Sequence, residues 1–128
     1  SLAQLCLRLD RVLGTLHREC NDKQVILVCH GEVMWAFRVM LERMSQQQFK
    51  ELHLSKNHLD RLHNCQVLHY TRRNPRSGCV GKYANWMRTI RPVDDPVWES
   101  GWQEIQRPLY SNKELLTVAN GYPALLQH

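Results

Sequence analysis

A run of apolar, strand-forming residues, Val25-Ile26-Leu27-Val28-Cys29, ends in His30-Gly31-Glu32 and passes straight into a helical pattern. In an open α/β sheet, ligands bind at the carboxyl ends of strands. A helix that starts there offers unpaired N–H groups and a partial positive charge, which suits an anion. An imidazole at that point can hydrogen-bond a phosphate, or exchange a proton or phosphoryl group with it. The spacing therefore predicts phosphate chemistry centred on His30. Glu32, in the first helical turn, is favoured by the helix dipole alone. It is also a candidate leaving-group acid or substrate contact, although a carboxylate repels phosphate.

Other chemistry-bearing residues make weaker patterns. Arg72, Arg73 and Arg76 cluster in an expected turn and would grip an anionic substrate if that loop folded back towards His30. His53, His58 and His63 recur every five residues, whereas zinc pairs on a helix prefer spacings of three or four. No metal site and no cofactor is expected. Trp98 and Trp102 lie in an expected loop, as packing for the tail or as an exposed platform.

The elements that must position His30 can be read from periodicity. Leu2, Leu5, Cys6, Leu9, Leu13, Leu16 and Cys20 recur at helical spacing, with Arg8, Arg11, Arg18 and Glu19 on the other face. Gln24 to Cys29 reads as one strand, and its unbroken apolar run predicts burial on both faces, as in a parallel sheet. Val33, Ala36, Phe37, Met40, Leu41 and Met44 predict a core-facing helix after the motif. Arg38 and Arg43 on that helix lie too far along to reach its N-terminus and are expected to be solvated or paired with acids such as Glu42. Ser45 with Gln48 is a capping-box pattern for a further short helix, and Ser111 with Glu114 is another. Ser55 to His63 reads as a polar connection with room for a helical turn. Cys65 to Thr71 and Tyr83 to Ile90 predict a β-hairpin around the loop Asn74-Pro75-Arg76-Ser77-Gly78. Arg91 to Gly101 reads as loop, with Asp95-Pro96 as turn chemistry, and the last residues as a loose tail.

Length bounds the chain, at 128 residues, to a single domain. The hydrophobic fraction of 43% is ordinary for a globular protein. No apolar run approaches the roughly 20 residues a membrane helix needs, and no secretory signal is visible. The net charge of +5 is spread along the chain, so nucleic acid is not an expected partner. Five cysteines, an odd number without a CxxC pair, argue against a disulfide framework and for a reducing, cytoplasmic compartment. One strand apolar on both faces, one hairpin and about three useful helices are few for a doubly wound sheet. The further strands are expected upstream of Ser1 or on a partner.

The stretch from Val25 to Leu41, with Asn64-Cys65-Gln66-Val67 later, resembles the C-terminal half of the histidine phosphatase (phosphoglycerate mutase-like) superfamily. The similarity runs from about Leu2 to Tyr70. It implies an α/β fold, here a partial phosphoglycerate-mutase-like three-layer sandwich with one buried parallel-type strand and a C-terminal β-hairpin. On that footing residues 1–110 are the C-terminal part of such a domain, and 111–128 a short helix and tail. The resemblance implies phosphomonoester hydrolysis through a phosphohistidine. His30 matches the second, phosphate-holding histidine. Gly31 matches its neighbour, where a missing Cβ lets backbone N–H groups approach the phosphate. Gly31 and Glu32 are the substrate-binding candidates. The family's first histidine sits in an Arg-His-Gly motif, which this sequence lacks, so the chain alone is expected to be inactive. Expected partners are a phosphorylated small molecule or phosphoprotein, and the upstream half of the domain or a second chain; a membrane is not one. The alternative is a non-catalytic anion- or protein-binding module of degenerate phosphatase fold.

Overall fold

The computed structural model describes residues 1–106 and 111–121. Helix α1 (Leu2–Glu19) opens with a reciprocal cap: the Ser1 hydroxyl accepts from the Gln4 amide, and the Gln4 side chain reaches back to the chain terminus. Helix α2 (Gly31–Glu42) packs against α1, with Leu9 and Ala36 as the buried positions. Arg43 ends α2 in the left-handed conformation, and Ser45 and Gln48 form the expected capping box of α3 (Gln46–Leu54). A 3-10 turn at His58–Asp60 interrupts the polar connection.

The expected hairpin is present. β1 (Val67–Thr71) pairs antiparallel with β2 (Trp86–Arg91) in the register Val67–Ile90 through Thr71–Trp86. Two short strands, β3 (Trp98–Glu99) and β4 (Gln103–Glu104), then line the other edge of β2. This corrects the reading of 91–101 as loop. Neither pairing exceeds two residues, too short for a period-2 pattern to register. Their registers on β2 differ by one residue, so the pair is in effect one strand broken by a bulge at Ser100–Gly101. Gly101 supplies the required positive φ, +76°. Helix α4 (Asn112–Asn120) starts at Ser111, whose hydroxyl accepts from the Glu114 amide, as its capping box predicts. The expected loose tail falls on 122–128, outside the described residues.

The fold is thus a mixed helix-and-sheet arrangement with an open antiparallel sheet, consistent with a partial α/β domain. One element departs from expectation. Residues 24–30 lead without helix into His30, whose backbone is extended, but among the described residues no strand pairs with them. Ile26 and Val28 are 89% and 96% exposed, and Val25 and Leu27 are 44% and 48% exposed. The expected burial on both faces is not achieved here, for a physical reason: such burial needs neighbours on both edges, and every described strand belongs to the separate sheet around β2. Among the described residues the buried apolar ones are few: Leu9, Ala36, Met87 and Ile105.

Candidate functional site

His30 ends segment 24–30 and is the N-cap of α2, with extended backbone dihedrals (φ −79°, ψ 163°). Its carbonyl accepts the first helical bond, from the Met34 amide at 3.0 Å. The N–H groups of Gly31, Glu32 and Val33 precede that bond and have no helical acceptor. Among the described residues no side chain caps them, the His30 imidazole included. His30 is exposed, so imidazole and open amides stand together at one accessible point. A Cβ built on Gly31 would meet nothing within 4 Å, so the space beside these amides is open.

Glu32 lies in the first turn of α2 as expected. It shares a shallow depression of about 550 Å³ with Ser1, Gln4, Leu5, Leu7 and Arg8 of α1. Arg8 makes no ion pair among the described residues. The sequence reading placed Arg8 simply on the polar face of α1. Its spatial neighbour Glu32 is visible only once α1 and α2 are packed. Cys29, next to His30, has its thiol pKa raised by burial, which keeps it protonated and a poor nucleophile.

The structure does not bring the basic loop to His30. Arg72 pairs with Asp22 and also reaches the Gly81 carbonyl. Asp22 lies eight positions before His30 in the chain. Arg73 is held within its own loop, donating to the Gly78 carbonyl at 2.8 Å. Two of the histidines spaced by five have ring contacts within the fold. His53 stacks on Phe49 (centroids 5.1 Å apart) and meets the edge of Trp35, while His63 Nε2 hydrogen-bonds the His58 carbonyl at 2.8 Å. Among the described residues no three His, Cys, Asp or Glu side chains gather in a metal-holding arrangement.

Other side chains anchor α2 and the sheet. Arg38 forms a two-pronged bond to Glu42, at 2.8 and 3.2 Å, and lies over the Trp35 ring at 5.1 Å. Burial alone would lower the Arg38 pKa, but Glu42 outweighs it and the net direction is upward. The Tyr70 hydroxyl donates to Glu42 at 2.7 Å, tying β1 to the far end of α2. Burial, followed by the negative charge of Glu42, pushes the Tyr70 pKa well above its ordinary 10.0. The sequence showed the Arg38–Glu42 spacing but carried no signal for Tyr70. Trp98 and Trp102 sit beneath Arg91 and Arg88, at 4.8 and 4.7 Å, and the tail expected to pack on them lies outside the described residues.

A helix, a segment ending in His-Gly, a second helix capped by that histidine, and a strand opened by Asn64-Cys65 follow one another in the first 71 residues. The family model of the histidine phosphatase superfamily (branch 1) matches residues 1–76, more than half of the chain. The chain belongs to that superfamily. No curated protein and no solved structure matches it.

Proposed function

We propose that this chain supplies the phosphate-binding histidine, His30, of a phosphomonoester hydrolase, and that the nucleophilic histidine comes from a segment outside these 128 residues. Family membership suggests phosphatase-like chemistry. The observation that carries the more specific reading is the segment 24–30, apolar and unpaired, which delivers His30 to an open helix N-terminus. In this reading further strands pair with both edges of the segment, and the phosphoryl group lies against the His30 imidazole and the amides of Gly31 and Glu32. Those donors stabilise the charge that develops on the transferring phosphoryl oxygens. The imidazole is placed to donate a hydrogen bond and needs no covalent step. Glu32, two residues on, is a contact for the rest of the substrate.

The accessible surface supports a chain that is completed by something else. Ile26 and Val28 of the apolar segment stand 89% and 96% exposed, where a strand of this composition is ordinarily covered on both faces. The mass of the purified protein under native and denaturing conditions tests the reading. A co-purifying or contiguous polypeptide bearing Arg-His-Gly, with phosphatase activity lost in His30→Ala, is the expected result. A chain alone at 15 kDa that binds anions or protein without turnover would replace this reading with that of a non-catalytic module. Full turnover in His30→Ala would overturn the role of His30.

A further inference from the structure

Away from His30, one face of the sheet carries a polar cluster that the phosphate site does not use. His69 on β1 faces Arg88 on β2 in register. Arg88 Nε donates to His69 Nδ1 at 3.1 Å, and Arg88 Nη1 donates to Glu99 on β3 at 2.8 Å. The bulge at Ser100–Gly101 shifts the strand by one residue, and a one-residue shift moves every later side chain to the opposite face. It thereby puts Trp102 opposite Arg88, with the guanidinium 4.7 Å from the indole and the His69 ring 4.8 Å away. Few other bonds hold the bulge: the Ser100 amide donates to the Thr89 carbonyl, and the Thr89 amide to the Ser100 hydroxyl, each at 2.9 Å.

A guanidinium has donors and no acceptors. The Arg88–His69 bond therefore requires a lone pair on Nδ1, which a neutral imidazole protonated on Nε2 provides and an imidazolium lacks. We propose that His69 and Arg88 form an acid-sensitive latch, in which protonation of His69 breaks their bond and loosens the bulged segment 98–104, with Trp102, from the sheet. Two cations would otherwise share one hydrogen-bond distance beneath the same indole.

Burial and the strand β2 cation outweigh the β3 carboxylate in their effect on His69. Burial lowers its pKa from 6.5, Arg88 lowers it further, and Glu99 opposes both with a smaller effect. The folded chain therefore takes up this proton less readily than the unfolded one. The stabilisation is complete above the ordinary histidine value and is lost as pH falls through the lower folded value.

Nuclear magnetic resonance of the full chain between pH 7.5 and 5 tests the latch. The imidazole of His69, the indole N–H of Trp102 and the exchange protection of the Ser100 amide, corrected for intrinsic exchange, are followed together. The expected result is one shared titration below pH 6.5, with Ser100 protection falling severalfold. In His69→Gln, whose amide oxygen accepts from Arg88 without titrating, Trp102 and Ser100 stay flat. If that variant does not fold, coincidence of the three wild-type curves decides the matter. A His69 that titrates at or above the ordinary value, or a Trp102 and Ser100 indifferent to its protonation, overturns the proposal.

Discussion

The Tyr70 hydroxyl donates a 2.7 Å hydrogen bond to the Glu42 carboxylate, which Arg38 grips from its own helix. The two residues are 28 positions apart, so the contact fixes how the helix that begins at His30 sits on the sheet. Glu42 is a part-buried acceptor, its side chain 11% exposed, and a charged one. Removing the donor from such a bond costs about 1.5–3 kcal/mol. Tyr70→Phe is expected to lower unfolding stability by about that much in denaturant titration, with the m-value unchanged. A loss below a few tenths of a kcal/mol would show that Arg38 alone satisfies Glu42.

The same contact sets an alkaline limit. Tyr70 keeps its proton in the folded chain to a pH above its ordinary 10.0, because burial and then Glu42 disfavour the phenolate. Above that ordinary value the unfolded chain loses the proton first. Stability contributed by Tyr70 is therefore present below pH 10 and is lost as pH rises from there towards the folded value. Thermal melts of the wild type between pH 9 and 11 should fall more steeply than those of Tyr70→Phe. Parallel slopes would mean the phenol titrates freely.

His30 makes no side-chain cap, so its removal should cost the fold little. In His30→Ala the melting temperature is expected to stay within a few degrees of wild type, while binding of inorganic phosphate or vanadate, read from the amide shifts of Gly31 and Glu32, weakens at least about tenfold, the equivalent of one charge-assisted hydrogen bond. Unchanged shifts and affinity would remove His30 from the site.

The sequence revealed most where one local signal decided the outcome. Three Ser caps with Gln or Glu three residues on, at Ser1, Ser45 and Ser111, all begin helices in the structure. Only the last two stood out as capping boxes in advance; at Ser1 the helix was read from its apolar stripe. The hairpin of β1 and β2 was legible from its β-formers and from the Pro-and-Gly-bearing loop between them. His30 was legible because a strand-like run ended at His-Gly. What stayed hidden depended on contacts distant in sequence: the pairing of Trp98 and Glu99 with β2, Tyr70 on Glu42, and Arg72 on Asp22 rather than near His30. The apolar run 25–29 was read as buried because its composition suits burial, but composition cannot say whether neighbouring strands lie in the same chain.

Gly101 makes the bulge that aims Trp102. Its φ of +76° lies where side chains with a Cβ are strained, yet a Cβ there would touch nothing within 4 Å. A substitution therefore tests backbone conformation alone. Gly101→Val is expected to destabilise by about 1–2 kcal/mol, and Gly101→Asn, which tolerates the left-handed region better, by clearly less. Equal losses in the two variants would point to a cause other than φ.

The bare segment 24–30 allows a test whose sign depends on what covers it. Ile26 and Val28, at 89% and 96% exposure, contribute almost no packing to the chain as it stands. Replacing both with lysine should leave its thermal midpoint unchanged within a few degrees and reduce self-association, since charge on an unpaired strand discourages edge-to-edge pairing. If, as proposed, a further polypeptide completes the domain and the segment is an interior strand, the same two lysines would bury unpaired charge there, at a cost of several kcal/mol. Ile26→Lys with Val28→Lys should therefore be silent in the 128-residue chain and should abolish both assembly and phosphatase activity with the completing polypeptide. If activity survives the double substitution there, the segment does not lie inside the catalytic sheet, and His30 reaches its substrate from a surface strand.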